Sequence, residues 1–229
     1  MKTETVILDP VRPDVTLTSY ILPGCRPAML VLPGGGFYAL ASHEGDPFAI
    51  RFMAEGFNAF VLNYSIGKPK SFFPRPLTDV SAAIVHIREN AEKYCIDPDK
   101  LFVIGSSAGG YLAGAIGAMW HCDFAKSSPD MEYGANRPNG VILTYGVVST
   151  REDIRCFCFD NLVTEEYGEQ AVSLERYVDE KSAPAFIWHS FPDECVDPRN
   201  ALVLAEAYVR AKVPCELHLY SDGAHGIGL

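Results

Sequence analysis

One stretch constrains this chain more than any other: Leu101-Phe-Val-Ile-Gly-Ser-Ser-Ala-Gly-Gly-Tyr-Leu-Ala-Gly114. It opens with a short apolar run, Leu101 to Ile104, the pattern of a strand buried on both faces of a parallel sheet. It closes with Tyr111, Leu112, Ala113, Ala115 and Ile116, which read as a buried helix. Between them lies Gly105-Ser-Ser-Ala-Gly109, a G-x-S-x-G. A serine at the centre of such a strand-to-helix turn is held in a strained backbone conformation with its Oγ clear of the chain. The positions two before and two after it are crowded, and Gly105 and Gly109 bring no Cβ to them. Ser107, not Ser106, is therefore the candidate nucleophile. The plainer reading is a turn of small residues; the flanking strand and helix favour the functional one.

Around this stretch the chain reads as alternating strands and helices. Residues 3–9 and 14–22 alternate apolar and polar and predict an antiparallel edge hairpin. Residues 28–32 predict a buried strand ending in Pro33-Gly-Gly-Gly-Phe37. Ser42 to Glu55 reads as a helix closed by Gly56, and Phe57 to Leu62 as a strand. Leu77 to Tyr94 has one apolar face and predicts an amphipathic helix. Asp97 to Lys100 reads as a turn before the serine strand. Strands are predicted at 140–145, 184–189 and 214–220, with a helix from the Asp197-Pro198 start to about Ala211. Residues 149–182 have weak periodicity and read as a short insertion at the carboxyl edge of the sheet, where insertions shape a site. No repeat or linker divides the chain, so residues 1–229 read as one α/β domain: about eight strands in a mostly parallel sheet, helices on both faces, and a small lid or none.

Composition narrows the function classes. The 229 residues carry a formal net charge of −10, which argues against nucleic acid or an anionic membrane as partner. No apolar run reaches the ~18 residues of a membrane span. The seven cysteines are odd in number and irregularly spaced, and the first residues contain no signal-like apolar run. Both features predict reduced thiols in a cytoplasm. Cys156-Phe-Cys158 is the only close pair. One intervening residue is not a usual zinc spacing, so no metal is expected and the pair reads as incidental.

Serine is a poor nucleophile near neutral pH and needs a base, which itself needs an orienting acid. Of six histidines, His86 lies on the amphipathic helix and His218 inside a strand. His43 and His121 read as surface or supporting residues, and His189, ending a strand, as structural. His225 follows the last strand at the same sheet edge as Ser107 and is the candidate base. After the 184–189 strand stand Asp193, Glu194 and Asp197. Asp197 has work as a helix cap, and Asp193, soonest after the strand, is the favoured acid. The order Ser, Asp, His is that of α/β-hydrolases. The oxyanion of a tetrahedral intermediate would take the N–H of Ala108, with Gly35 or Gly36 as second donor and Phe37 N–H as a further option.

These residues carry a resemblance. Pro33-Gly-Gly-Gly-Phe37, the Gly105–Ala113 elbow, Trp188-His-Ser-Phe-Pro-Asp193 and Gly223-Ala-His-Gly226 resemble the motifs of the α/β-hydrolase esterase/lipase group. Within it the chain is similar to small acetylesterase or xylan-esterase-like proteins over residues 25–229. Proline stands where those relatives have histidine before the glycines, and four residues follow His225 where many continue into a final helix. The resemblance implies hydrolysis of short acyl esters, often acetyl groups on sugars, without a cofactor. The expected partner is a small-molecule ester, with a homo-oligomer left open. Phe37 and Tyr38 are candidate substrate-binding residues, and Tyr64, Phe72, Phe73 and Tyr145 are further aromatics for a pocket wall. Two other readings stand beside this one. The same three residues serve an amidase, formamidase or small peptidase, and the fold can serve a non-catalytic binding protein.

Overall fold

The computed structural model describes residues 1–228. Its centre is an eight-stranded sheet in the order β1-β2-β4-β3-β5-β6-β7-β8. The strands are β1 (Lys2–Ile7), β2 (Thr16–Ile21), β3 (Arg26–Leu32), β4 (Asn58–Asn63), β5 (Ile96–Ser106), β6 (Gly140–Thr144), β7 (Ala185–Ser190) and β8 (Cys215–Tyr220). β1, β2 and β4 pair antiparallel; every other pairing is parallel. The pattern follows from composition. β2 buries alternate residues, Leu17, Ser19 and Ile21, and so faces the core on one side only. The runs in β3 and β4 are buried almost throughout, as a parallel sheet covered on both faces requires.

The helices are α1 (Asp46–Ala54), α2 (Arg75–Glu89), α3 (Ala108–Met119), the single turn α4 (Glu169–Val172) and α5 (Arg199–Ala211). They lie on both faces, unevenly. The large core joins alternate residues of β3, β5, β6 and β7 to α2, α3 and α5, through Leu77, Ile84, Leu112, Ile116, Leu204 and Tyr208. The smaller core on the opposite face sets Phe48, Ala49 and Met53 of α1 against Met29, Val31, Ala59 and Ile104. No helix among the described residues is long and apolar enough to cross a membrane.

Three boundaries differ from expectation for local reasons. The 42–55 segment breaks at Gly45 into a 3-10 turn, Ser42–Glu44, and α1. The second helix starts at Arg75 and stops at Glu89 rather than Tyr94. There Asn90 leaves helical geometry and its Nδ2 donates back to the His86 carbonyl, which caps the end. The Asp97–Lys100 turn is absorbed into β5 as an irregularity where the pairing jumps from Arg26–Ile96 to Ala28–Leu101.

Topology decides where a site can form. β3 lies between β4 and β5, so the chain leaves it in one direction and later continues in the other. The carboxyl ends of β3 and β5 therefore meet at a switch point, with Leu32 opposite Gly105. Backbones approach closely here: a Cβ on Gly109 would run into the Leu32 carbonyl oxygen and lie 2.6 Å from that of Pro33. Neither can move without displacing β3. Gly109→Ala is expected to cost about 3 kcal/mol of stability in urea unfolding; a variant as stable as the wild type would contradict this packing.

Candidate active site

β5 ends at Ser106, and α3 begins at Ala108. Ser107 joins them at φ 53°, ψ −116°, a positive φ that costs a non-glycine residue energy. The turn is held from outside. Ser107 N–H donates to the Thr144 carbonyl at 3.0 Å, and its own carbonyl accepts from Tyr111 N at 3.0 Å and Val147 N at 3.3 Å. The two adjacent serines part here. Ser106 is buried, with its Oγ 2.8 Å from Thr144 Oγ1 inside the sheet. Ser107 lines a cavity of about 210 Å³.

His225, on the loop after β8, faces the same cavity. Its Nε2 lies 2.9 Å from Ser107 Oγ and its Nδ1 2.7 Å from Asp193 Oδ2. Since a carboxylate only accepts, Nδ1 carries the proton and Nε2 is free to accept from the serine hydroxyl. Asp193 sits on the turn after β7, its side chain enclosed. Burial pushes its carboxyl up, but hydrogen bonds from His189, His225 and the N–H groups of Val196 and Cys195 outweigh this and leave it well below the usual carboxylate range. Glu194 is exposed, and Asp197 accepts from Arg199 N–H at 2.8 Å at the start of α5.

The glycine loop is fastened at nearly every residue. Tyr64 Oη donates to the Pro33 carbonyl at 2.6 Å, and Gly34 N–H donates to Glu44 Oε2 at 2.8 Å. Asn161 Nδ2 holds the Gly36 carbonyl at 2.9 Å, and Gly67 N–H holds that of Phe37 at 2.8 Å. Tyr64 thus braces Pro33 at the start of the loop. Gly35 and Gly36 line the cavity at positive φ, 124° and 61°. Among the described residues no protein group accepts the N–H of Gly35, Gly36 or Ala108. Such unpaired donors beside a nucleophile can stabilise a developing oxyanion.

Of the aromatic residues expected at the pocket, Tyr38 lines it and is exposed. Phe37 does not. At φ 63° the loop turns its ring into the core, fully buried and edge-on to Tyr111 at 5.8 Å. Tyr64, Phe73 and Tyr145 are likewise buried, and Phe72 is not part of the cavity wall.

His189 and His43, read from the sequence as structural and as surface or supporting, both reach the site. His189 Nε2 is 3.0 Å from Asp193 Oδ2 and 2.9 Å from the Val196 carbonyl, both acceptors, so Nε2 carries a proton shared between them. His43 donates through Nε2 to the Gly226 carbonyl at 3.1 Å. Glu44, Tyr145 and Asn161 take partners remote in sequence, Tyr145 Oη donating to Glu44 Oε1 and Asn161 Nδ2 to the Gly36 carbonyl; no local motif marks them.

Cys156 and Cys158, with Cys195, line the cavity. All seven cysteines are free, and no group of three or more His, Cys, Asp or Glu among the described residues is arranged to hold a metal ion. A hydrogen bond shared with Cys158 holds the Cys156 thiol below its usual value and pushes Cys158 up. Burial pushes Cys215 up to about 11. Because the thiolate is the reactive form, iodoacetamide at about pH 8 is expected to label Cys156 ahead of its likewise buried partner Cys158 in peptide mass spectrometry; the reverse order would contradict this polarity.

The BD-FAE family matches residues 22–208. Endo-1,4-beta-xylanase B of Butyrivibrio fibrisolvens is 36% identical over 209 residues, covering 88% of this chain and 32% of that protein. Acetylxylan esterase of Xylanibacter ruminicola is 29% identical over 214 residues, 88% of this chain and 41% of that one. The chain thus spans well under half the length of these two curated relatives. Among solved structures, an acetyl ester-xyloside bifunctional hydrolase from Caldicellulosiruptor lactoaceticus superposes with a TM-score of 0.84 at 32% identity, covering 96% of this chain and 83% of that one. A carboxylesterase from Lactobacillus plantarum gives 0.86 at 26% identity, with 99% and 85% covered. Another neighbour, 31% identical with a TM-score of 0.79 over 99% of this chain and 84% of its own, is described as an alpha/beta hydrolase enzyme. The chain belongs to the BD-FAE family and carries the α/β-hydrolase fold.

Proposed function

We propose that this protein is a serine carboxylesterase that removes short acyl groups, acetyl above all, from carbohydrate esters. The observation that carries the reading is the unbroken hydrogen-bonded chain Ser107–His225–Asp193, opening on a small cavity beside unpaired backbone N–H groups. Ser107 Oγ attacks the ester carbonyl as His225 Nε2 takes its proton, and Asp193 stabilises the imidazolium. The carbonyl oxygen becomes an oxyanion, received by the N–H of Ala108 and of Gly35 or Gly36. Collapse breaks the ester C–O bond, and the leaving oxygen takes that proton from His225 to depart as the alcohol. Water, deprotonated by His225, then attacks the acyl group on Ser107, and the acid leaves with Ser107 restored.

Two features support the substrate class. About 210 Å³ is below the range usual for sites that enclose a whole ligand, which suits a short acyl group with the alcohol part outside. Tyr38 and Phe157, both 64% exposed, stand on the cavity wall as apolar surfaces for a sugar ring. Relatives whose names refer to acetylxylan and acetyl esters favour the same class. A larger open groove of about 860 Å³, bordered by Trp120, Tyr133 and Arg137, does not include Ser107 or His225.

The test is initial-rate hydrolysis of p-nitrophenyl acetate and butyrate. Wild-type turnover should favour acetate, and Ser107→Ala should lower kcat by roughly 10⁶. A Ser107→Ala variant that kept the wild-type rate would refute the assignment.

A further inference from the structure

Glu44 is a carboxylate that the proposed reaction leaves without a role. It is 2% exposed, in the turn that follows the glycine loop. Among the described residues no lysine or arginine pairs with it; Nε2 of the neighbouring His43 is 3.9 Å from Oε1. A buried charge without a fixed counter-ion is unfavourable unless its oxygens are firmly hydrogen-bonded. Both are. Oε2 accepts Gly34 N–H and Oε1 accepts the Tyr145 hydroxyl, each at 2.8 Å. Burial, and then the charge of Glu44, hold the Tyr145 phenol above its ordinary value, so Tyr145 remains the donor.

Each contact leads to a different half of the active site. Gly34 opens the oxyanion loop, and it is packed so tightly that a Cβ there would lie 2.5 Å from Glu44 Oε2 and 3.0 Å from Ser107 Cβ. Tyr145 presents its ring to His225 at 5.1 Å and accepts Gly228 N–H at 3.3 Å. The adjacent His43 holds the Gly226 carbonyl. One short turn therefore touches the loop that would bind the oxyanion and the loop that carries the base.

We propose that Glu44 is a positioning residue of the active site: it ties the oxyanion loop to the His225 loop through Gly34 and Tyr145, and its negative charge favours the imidazolium that His225 becomes. The proposal rests on the serine-esterase reading. His225 is also faced by Ser107 from the elbow and by Asp193, backed by His189, from the turn after β7. Tyr145 faces it from the end of β6, Cys156 from the insertion, and His43 from beside Glu44. Asp193 supplies the direct partner, and Glu44 adds a second anion on the cavity side.

Two variants separate charge from geometry. Glu44→Gln keeps an oxygen for Gly34 N–H and can donate its amide to Tyr145 Oη, but removes the charge. It is expected to lower kcat on p-nitrophenyl acetate about tenfold with KM little changed, and to move the acid limb of kcat/KM to lower pH, because the imidazolium loses a nearby anion. Glu44→Ala frees both loops and is expected to lower kcat by about a hundredfold. Near-ultraviolet circular dichroism gives the folded fraction of each variant. Glu44→Gln with the wild-type kcat and acid limb would overturn the proposal. So would two variants that lose activity only in proportion to folded protein, which would make Glu44 purely structural. Ser107→Ala is run alongside. Wild-type turnover that Ser107→Ala retains, or its absence in the wild type, refutes the esterase reading and this proposal with it; Ser107-dependent turnover with an unmoved Glu44→Gln refutes the proposal alone.

Discussion

The arrangement of this site depends on how one carboxylate is held. Asp193 receives four donors: His225 Nδ1 and His189 Nε2 on Oδ2, and the N–H groups of Cys195 and Val196 on Oδ1. A carboxylate so enclosed has no freedom to rotate, and it keeps its charge despite its burial. Its fixed position sets the tautomer and direction of His225, and through Nε2 the direction in which Ser107 can lose a proton. His189 makes the arrangement stiffer than a three-residue chain, because it ties the carboxylate and the Val196 carbonyl to the end of β7.

On the other side of Ser107 the constraint is steric. β3 and β5 are neighbours that lead their chains apart, so the glycine loop and the elbow occupy the same small volume. Gly34, Gly105 and Gly109 each lie where a methyl group would strike backbone or the Glu44 carboxylate. Lack of side chains brings the N–H groups of the loop close to Ser107, while Tyr64, Glu44, Asn161 and Gly67 hold the loop at the same time. Flexibility of sequence and rigidity of structure coexist because the fastening comes from outside the loop.

Much of this was legible in the chain. The buried run before Gly105 and the small-residue helix after it place Ser107 on an elbow, and strand periodicity places Asp193 and His225 at the same sheet edge. These signals are local and survive translation into structure. What was not legible is long-range. Glu44 reads only as part of the 42–55 helix, and His189 as a structural strand-end residue, until their partners, remote in sequence or placed by a tight turn, are brought beside them. Phe37 was misread for a related reason: the positive φ that the glycine loop imposes turned its ring inward, and no residue type at 37 announces that. Cys156 and Cys158 lack a metal spacing, yet the fold of the insertion lays them along the cavity wall. Helix ends erred where a side chain competed with the backbone, as Asn90 does at the end of α2.

The central claim is that an acyl group passes through Ser107. The most direct measurement is peptide mass spectrometry of enzyme quenched in acid during turnover of p-nitrophenyl acetate. An acetyl group on the peptide bearing Ser107, located by fragmentation at Ser107 and absent from Ser106, is the predicted result. Turnover with no acyl-enzyme at Ser107, or with the acetyl group carried by Ser106 or by Cys156, would contradict the account.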